Sequence, residues 1–309
     1  MATNSWSMGL LGVPTSAGSH NPGQEKAPAA WRHAGLVGAL RARGVDVEDY
    51  GDLPERRHQP TGRIDGVRDL DRVVAVARET SERVASVRAA GRRLLVLGGD
   101  CTVTIGVLAG MEASLAVGLV YFDGDVDLSS PATSRSGVLD TMGMTHMLGG
   151  GAPQLARLGP RPALLSPDRV VLFGFDPEEL NTEQWVRLSS HNLYAVPAPS
   201  VRAGPGRCAR EACSYLGDRV DALVVHFDVD VLDTGRFPLA NFPHFAGLAL
   251  EEASACLEEL ASTPKFAGLV ITEVNPDHDP DGVLLRALTD VVADALAPRG
   301  GALWDTSWA

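Results

Sequence analysis

The sequence has few cysteines and no long apolar run. Its 309 residues include four cysteines, none of them in a Cys-x-x-Cys pair, which excludes a disulfide scaffold. No stretch of about 18 apolar residues is present to span a bilayer. The apolar segment Met8–Val13 is short and lacks a basic flank, so we interpret it as a first strand rather than a signal peptide. These absences predict a cytoplasmic protein without a membrane partner.

Basic residues are fewer than acidic ones. The chain has 27 Lys and Arg against 39 Asp and Glu, which gives a formal charge of -12. Proteins that bind nucleic acid concentrate Lys and Arg on one surface, so nucleic acid is not an expected partner. Hydrophobic residues make up 45% of the chain and no low-complexity linker interrupts it. We therefore predict one domain over residues 1–309.

Short β-rich runs alternate with longer amphipathic stretches, a pattern typical of βαβ units. Runs such as Leu94–Leu97 and Leu223–Val225 are apolar on both faces, which suits a sheet covered by helices on both sides. This predicts an α/β fold with three αβα layers and a mostly parallel sheet of about eight strands. The predicted strands are Ser7–Val13, Val45–Asp49, Arg93–Leu97, Val117–Phe122, Arg169–Phe173, Asn192–Val196, Ala222–Phe227 and Ala267–Thr272. The predicted helices include Ala27–Arg43, Val67–Ala90, Leu250–Leu260 and Val283–Leu296.

Acidic residues cluster at the ends of two predicted strands. Asp123, Asp125 and Asp127 follow one strand, and Asp228 and Asp230 follow another. The carboxyl ends of parallel strands line one rim of a sheet, so these side chains should meet. Carboxylates a few Å apart raise one another's pKa steeply unless a cation lies between them. An isolated Asp-x-Asp pair commonly makes a turn or a helix cap, but two such clusters together predict a pair of divalent metal ions.

The order of the motifs resembles that of the arginase and agmatinase ureohydrolases. The matching segments are Gly98–Cys101, Asp123–Asp127, Asp228–Asp233 and Glu273–Pro276, with further similarity at Glu25–Pro28 and Gly51–Leu53. The resemblance covers nearly the whole chain and implies an arginase-like fold. The metal-ligand positions that it implies are Cys101, Asp123, Asp125, Asp127, Asp228 and Asp230.

The resemblance also implies a chemistry. A metal-bound hydroxide attacks the trigonal carbon of a small guanidino or amidino substrate, while Glu273 holds the charged nitrogens. The implied cofactors are two divalent ions, with Mn²⁺ as the first expectation and Zn²⁺ or Fe²⁺ as alternatives, and a homo-oligomer is compatible with the family. Ser129, Ser136 and Asp176 are further candidate substrate contacts. The candidate catalytic residues are Asp127, Asp140 and Glu273.

Two implied ligand positions depart from the family pattern. Typical members carry histidine at both positions where this chain has Cys101 and Asp125. Six anionic ligands would carry six negative charges against the four positive charges of two divalent ions, about two more than the usual four Asp and two His. Protonation or displacement of Asp125, a nearby cation such as Arg135, or a single bound metal would each relieve this excess. A thiolate ligand would also favour zinc or iron over manganese.

Three residues keep more than one interpretation. Cys101 is a metal ligand, an inert core thiol, or a nucleophile activated by His146 or His226. Asp140 lies where arginases carry a histidine proton shuttle, and it is equally placed to cap a helix predicted over Thr141–Leu148. His226 either hydrogen-bonds a ligand residue or is satisfied within the core.

The leading hypothesis is a hydrolase that cleaves a C–N bond of a guanidino or amidino compound. Some arginase-like enzymes with cysteine at the first ligand position act on N-hydroxylated guanidines, which makes an N-hydroxyarginine-like substrate the analogy of choice. A leaving group more acidic than an alkylamine would also need less help from Asp140. One alternative is an arginase-fold binding or regulatory protein that has lost turnover. Another is a hydrolase that uses Cys101 as its nucleophile.

Overall fold

The computed structural model describes residues 7–298, so residues 1–6 and 299–309 of the predicted domain lie outside the described residues. All eight predicted strands are present, and no strand end lies more than three residues from its predicted position. They are β1 Ser7–Gly12, β2 Asp46–Asp52, β3 Arg93–Leu97, β4 Val117–Phe122, β5 Val170–Phe173, β6 Tyr194–Val196, β7 Ala222–Asp228 and β8 Phe266–Thr272.

The strands form one sheet in the order β2-β1-β3-β8-β7-β4-β5-β6. Every paired neighbour is parallel, so the sheet predicted as mostly parallel is entirely parallel among the described residues. Successive side chains in these strands point to opposite faces. Leu95, Val120 and Val225 accordingly join one hydrophobic core, and Leu94, Leu119 and Val224 join the other. The apolar runs are continuous because both faces are buried.

Helices cover both faces. The helices are α1 Ala27–His33, α2 Leu36–Ala42, α3 Leu70–Ala89, α4 Val103–Gly110, α5 Gly143–Met147, α6 Pro153–Ala156, α7 Thr182–Ser190, α8 Ala198–Arg202, α9 Pro205–Leu216, α10 Leu250–Ala261 and α11 Val283–Ala295. One face is covered by α1, α2, α8, α9, α10 and α11, and the other by α3 to α6, which confirms the three-layer prediction. Among residues 7–298, no helix combines the length and apolar character that a membrane span requires.

The single helix predicted over Ala27–Arg43 is wrong. The chain breaks at Gly35, which adopts φ 90° before α2 begins. That left-handed conformation is open to glycine at little cost and interrupts the helical hydrogen bonds. The break lets α1 and α2 each turn an apolar face to the same core, where Trp31, Leu36 and Leu40 are fully buried.

Strand order explains how distant motifs meet. The register pairs Phe122 with Phe227 between β4 and β7, and Leu97 with Ile271 between β3 and β8. Because β7 also pairs with β8, the carboxyl ends of four neighbouring strands open onto one edge. The residues that follow β3, β4, β7 and β8 are therefore brought together there.

A buried histidine in α5 gives a prediction on stability. His146 is fully buried, its Nδ1 atom lies 2.7 Å from the carbonyl of Met142, and its Nε2 atom has no hydrogen-bond partner. Burial lowers the pKa of His146 from 6.5 to about 4, because a charged ring would lack solvent there. The folded-state pKa thus lies below the unfolded one. The contribution of the neutral ring is complete above pH 6.5 and is lost as pH falls towards about 4.

We expect wild type to lose about 3 kcal/mol of unfolding free energy relative to His146→Asn over that pH range. Asparagine keeps a donor for the carbonyl of Met142 but does not titrate. Urea unfolding of both proteins across the range measures the difference, and contributions shared by the two proteins cancel. His191→Asn, at an exposed position, is the control. Parallel stability curves for wild type and His146→Asn would contradict the prediction.

Candidate active site

An open pocket of about 580 Å³ lies at the carboxyl edge of the sheet. Its floor contains the acidic residues that follow β4 and β7, as the strand register requires. Its mouth is formed by two loops, one after β1 and one after β7. The lining residues are Ser19, His20, Asn21, Gln24, Cys101, Asp123, Asp125, Asp127, Asp140, Thr141, Asp228, Asp230, Asn241, Phe242 and Glu273.

Cys101 lies in the turn between β3 and α4 and is 3% exposed. Its Sγ atom donates to Oδ2 of Asp228 and lies 3.4 Å from Oγ1 of Thr272. Burial, followed by the negative charge of Asp228, raises the pKa of the Cys101 thiol well above its usual value. A protonated thiol bonded to a carboxylate disfavours the cysteine-nucleophile interpretation, which requires a histidine as base.

His226 is fully buried beneath the pocket floor. Its ring stacks on Tyr121 at a centroid distance of 4.2 Å, and its Nδ1 atom lies 2.7 Å from Oγ1 of Thr104. The Nε2 atom lies 3.4 Å from Oδ2 of Asp123. Burial lowers the pKa of His226 to about 3, so the ring is neutral. The core interpretation of His226 therefore holds, since the ring stacks on Tyr121 and its Nδ1 atom is bonded to Thr104, whereas Nε2 faces Asp123 without a hydrogen bond.

Asp125 and Asp127 are held by different partners. Oδ1 of Asp125 accepts from the Val126 amide at 2.6 Å and from Nε2 of Gln184 at 3.2 Å. Asp127 accepts a short hydrogen bond from the Tyr121 hydroxyl and adopts φ 48°. A left-handed conformation is uncommon for a residue with a side chain, although aspartate tolerates it better than most. This backbone turn re-aims Asp127, so the segment does not continue as a strand.

The carboxylates of the pocket floor crowd negative charge into a buried space. Burial is the largest cause that raises the pKa of Asp123, Asp127 and Asp228 well above the usual range. The charges of neighbouring carboxylates raise each of these pKa values further. A divalent cation would reverse both effects, because it replaces the lost solvation and offsets the repulsion.

The donor set fits divalent metal ions. One ligand atom from each of Cys101, Asp123, His226 and Asp228 lies within 4.8 Å of the others. Oδ2 of Asp123 is buried and accepts no hydrogen bond, so this oxygen is available to bind a metal ion. Carboxylates, imidazole and thiolate together suit zinc, iron or manganese.

A second group of acids lies beside the first. Ligand atoms of Cys101, Asp140 and Glu273 lie within 4.8 Å of one another. Gln24 donates from Nε2 to Oε2 of Glu273 at 2.8 Å, and Oε1 of Glu273 has no partner. Burial and then the charge of Asp140 raise the pKa of Glu273 well above its usual value. Glu273 has φ 61° and is 5% exposed, so its carboxylate is held at the pocket by a left-handed turn after β8.

The helix-cap interpretation of Asp140 is wrong. Asp140 opens a 3-10 turn over Asp140–Met142, ahead of the shorter helix α5, and no side chain caps that turn. Its Oδ1 atom accepts from the Cys101 amide at 2.8 Å instead. The carboxylate is therefore turned towards the pocket, because the turn after β3 offers it a buried donor that the helix end does not.

His244 contributes a cation that sequence reasoning missed. It follows β7 in the loop over residues 231–249 and is 1% exposed. Its Nδ1 atom lies 3.0 Å from Oε2 of Glu179, and its Nε2 atom lies 3.5 Å from Oδ2 of Asp230. Burial lowers the pKa of His244, but the contacts with Asp230 and Glu179 outweigh it and raise the pKa to about 10. The same contact leaves the pKa of Asp230 below its usual value, although burial alone would raise it.

Four predicted residues lie away from the lining side chains. Ser129 is bonded through its amide to the Thr141 carbonyl at 3.1 Å, and Ser136 bonds its own loop through the Val138 amide at 3.2 Å. Asp176 accepts from the Glu178 amide at 2.9 Å. Substrate contacts from these three residues remain predictions. Arg135 is exposed, so the cation that faces the cluster is His244 rather than Arg135.

Sequence reasoning missed four residues in or beside the pocket for one reason: their loops carry no periodic pattern from which a site could be predicted. They are Gln24, Asn241, Phe242 and His244. Gln24 directly precedes the Glu25–Pro28 segment that belongs to the resemblance, and His244 is the single histidine of its loop. The position of Gln24 next to a matched motif is a usable signal, whereas no matched motif adjoins His244.

Comparisons with known proteins show which family and fold this chain resembles. Residues 7–297 match the family model described as the arginase family. Arginase from Bacillus caldovelox is 31% identical over 87% of this chain and 91% of its own length. Human arginase-1 is 30% identical over 97% of this chain and 95% of its own. The solved structure of the Bacillus caldovelox arginase superposes with a TM-score of 0.86 at 27% identity, covering 96% of this chain and 99% of that one.

Proposed function

Because this chain belongs to the arginase family, we propose that it is a metal-dependent hydrolase that cleaves a C–N bond of a guanidino or amidino compound. The observation that carries the proposal is a pair of acids, the buried Glu273 and the half-buried Asp140, beside the donor cluster around Cys101. Two uncompensated carboxylates next to a metal-binding group form a site for a cationic substrate that reacts at the metal.

We assign the metal ligands to Cys101 and the aspartates at positions 123, 125, 127, 228 and 230. His226 shares a cluster with three of them, but its Nδ1 atom is bonded to Thr104 and its ring is packed in the core, so we leave it out of the ligand set. When bound, two divalent ions would act as Lewis acids that activate water for attack on the substrate carbon. The mixed donor set includes a thiol, so Zn²⁺ and Fe²⁺ are tested beside Mn²⁺.

Glu273 recognises the substrate cation in this proposal. One carboxylate oxygen is fixed by Gln24 at 2.8 Å, while the other is free of hydrogen bonds. A planar guanidinium donates two parallel N–H bonds to a carboxylate, which suits an acid held in one orientation. Burial of Glu273 strengthens the attraction because water does not compete. Asp140 is held in place by the Cys101 amide and acts as the general acid that donates a proton to the departing nitrogen.

The proposed substrate class rests on analogy. Phe242, 51% exposed, and Asn241 line the pocket but do not identify a substrate. Arginase-like enzymes with cysteine at the position of Cys101 point to a guanidine modified at nitrogen, such as an N-hydroxyarginine-like compound. We therefore infer that an N-hydroxyguanidine is used in preference to arginine.

The test is an activity panel. The purified protein is loaded separately with Mn²⁺, Zn²⁺ and Fe²⁺ and given L-arginine, N-hydroxy-L-arginine and agmatine. Urea and hydroxyurea are measured separately. We expect turnover of at least one compound, with kcat/KM for the hydroxylated one at least about tenfold higher than for arginine. Equal use of the two would overturn the substrate assignment. Release of neither product with any metal would overturn the enzyme proposal in favour of a binding or regulatory protein.

Replacing Cys101 tests its role as a metal ligand. With Co²⁺ as the probe, we expect wild type to show a thiolate-to-cobalt charge-transfer band that Cys101→Ser lacks, because serine is a poor donor for this ion. Zn²⁺ affinity should also fall, by at least about tenfold.

Cys213→Ser, in helix α9 and away from the pocket, is the matched control and should keep the band. Bound Co²⁺ without a thiolate band in wild type would remove Cys101 from the ligand set. Activity that survives chelation but is lost with iodoacetamide would instead favour a cysteine nucleophile.

A further inference from the structure

His244 is a buried histidine that the proposed function does not use. It lies in the loop after β7, and both its ring nitrogens lack a well-aligned hydrogen bond although each faces a carboxylate oxygen. Buried polar atoms without hydrogen bonds are rare in folded proteins and call for an explanation in each case. The surroundings of His244 point to a ligand that would complete its contacts.

The two ring nitrogens of His244 have different surroundings. Nδ1 lies 3.0 Å from Oε2 of Glu179, whereas Nε2 lies 3.5 Å from Oδ2 of Asp230, longer than an ordinary hydrogen bond. Histidines that bind metals generally present one nitrogen to the ion and the other N–H to a carboxylate or carbonyl. Glu179 is placed to accept that second N–H. Nε2 then faces the predicted metal ligand Asp230, and a metal ion bound there would displace the proton that Nε2 carries in the metal-free ring.

Gly124 fixes how close the ring comes to the acidic segment. A Cβ atom at Gly124 would lie 2.6 Å from Cδ2 and 2.8 Å from Nε2 of His244, far inside contact distance. The imidazole therefore packs directly over the backbone between Asp123 and Asp125. The Gly124 amide also donates to Oδ1 of Asp230 at 3.0 Å, so ring, backbone and carboxylate form one packed unit.

Asp125 occupies a position where the family pattern has a neutral histidine donor. One of its oxygens is already engaged by the Val126 amide and by Gln184. An imidazole bound in place of this carboxylate would remove Asp125 from the six ligands assigned above and leave five anionic ones. The excess negative charge of the cluster would fall accordingly.

Resting on the proposed metal-dependent function, we propose that His244 binds the metal ion beside Asp230 through Nε2 and replaces the neutral nitrogen donor that Asp125 does not supply. Glu179 orients the ring through Nδ1. The site thus keeps an imidazole ligand, delivered from the loop after β7 instead of from the segment after β4.

The test uses full-length protein loaded with Mn²⁺ and pulsed electron paramagnetic resonance. We expect wild type to show coupling from a coordinated imidazole nitrogen, and His244→Gln to lose that coupling and bind Mn²⁺ about 10- to 100-fold more weakly. His191→Gln, at an exposed position, should change neither. His226→Gln is measured in parallel, because His226 is the other imidazole within reach of the cluster.

The outcomes separate this inference from the proposed function. A wild type that binds no divalent metal would overturn both. Bound Mn²⁺ whose nitrogen coupling survives in His244→Gln, or disappears only in His226→Gln, would overturn the inference alone.

If His244→Gln fails to fold, Glu179→Gln decides the question. We expect this variant to keep the nitrogen coupling with several-fold weaker Mn²⁺ binding, whereas Glu178→Gln, at the exposed neighbouring position, should bind Mn²⁺ like wild type. Mn²⁺ affinity unchanged in Glu179→Gln would contradict a carboxylate–histidine pair.

Discussion

Asp228→Asn is expected to abolish turnover and stoichiometric metal binding. Asp228 is 1% exposed, is in contact with the Cys101 thiol, and lies in the donor cluster with Asp123. An amide removes the charge that holds a divalent ion while keeping the side-chain volume. Loss of a ligand from a site that generates the nucleophile should lower kcat by at least about 10³-fold.

The same change has a distinctive effect on stability. Burial and the neighbouring acids Asp230 and Asp123 raise the pKa of Asp228, so the charged side chain is unfavourable in the metal-free protein. Metal-free Asp228→Asn should therefore be at least as stable as metal-free wild type. Saturating metal at about 100 times Kd should stabilise wild type by about 2.7 kcal/mol, which is about 5 °C in Tm, but should not stabilise the variant.

Calorimetry and metal analysis measure both effects. Asp277→Asn replaces an exposed acid paired with Lys26 and should behave as wild type in both measurements. A variant at Asp228 that keeps its metal and its Tm response would show that the donor cluster does not hold the ion.

Glu273→Gln is expected to lower kcat/KM by roughly 10²- to 10³-fold while leaving metal binding intact. Removing one partner of a buried ion pair costs about 3 to 5 kcal/mol, because the other charge stays desolvated. Each 1.4 kcal/mol is about a tenfold change in rate. Glutamine retains an oxygen for the Gln24 donor, so the pocket should keep its shape.

This prediction also separates two roles for Glu273. Its carboxylate shares a group of possible metal ligands with Cys101 and Asp140, so it is near enough to be considered a ligand itself. Unchanged Tm response to metal together with impaired kinetics supports recognition of the substrate. Loss of the metal response would make Glu273 a ligand, and unchanged kinetics would remove it from the site. Glu251→Gln, on helix α10, controls for the charge change alone.

The elements of the fold that are indicated by short, local sequence patterns could be predicted from the sequence. A continuous apolar run such as Val117–Phe122 identifies a strand buried on both faces, and the structure has that strand with the same bounds. The order β3-β8-β7-β4 has no local signal, because it depends on which crossovers bury the most surface. The break at Gly35 was missed because the residues on either side continue the helical pattern.

In the site, too, some features follow from local sequence patterns and others depend on contacts between residues far apart in the chain. Asp123 and Asp228 were predicted to meet because the residues that follow parallel strands share an edge. The orientation of Asp140 depends on the Cys101 amide, a donor nearly 40 residues away. The imidazole of His244 is placed by Glu179 and by the open backbone at Gly124, and no pattern in its own loop indicates those contacts.

The left-handed backbone at Asp127 and Glu273 lowers the stability of the fold but holds two carboxylates at the pocket. Conformations of this kind cost about 1 to 3 kcal/mol each for residues with side chains and persist only where the surrounding structure enforces them. Glycine at either position would relax the chain but delete a carboxylate from the pocket. Selection for thermal stability alone should therefore favour variants that have lost these two carboxylates, so stabilising substitutions that keep the pocket intact should be sought elsewhere in the chain.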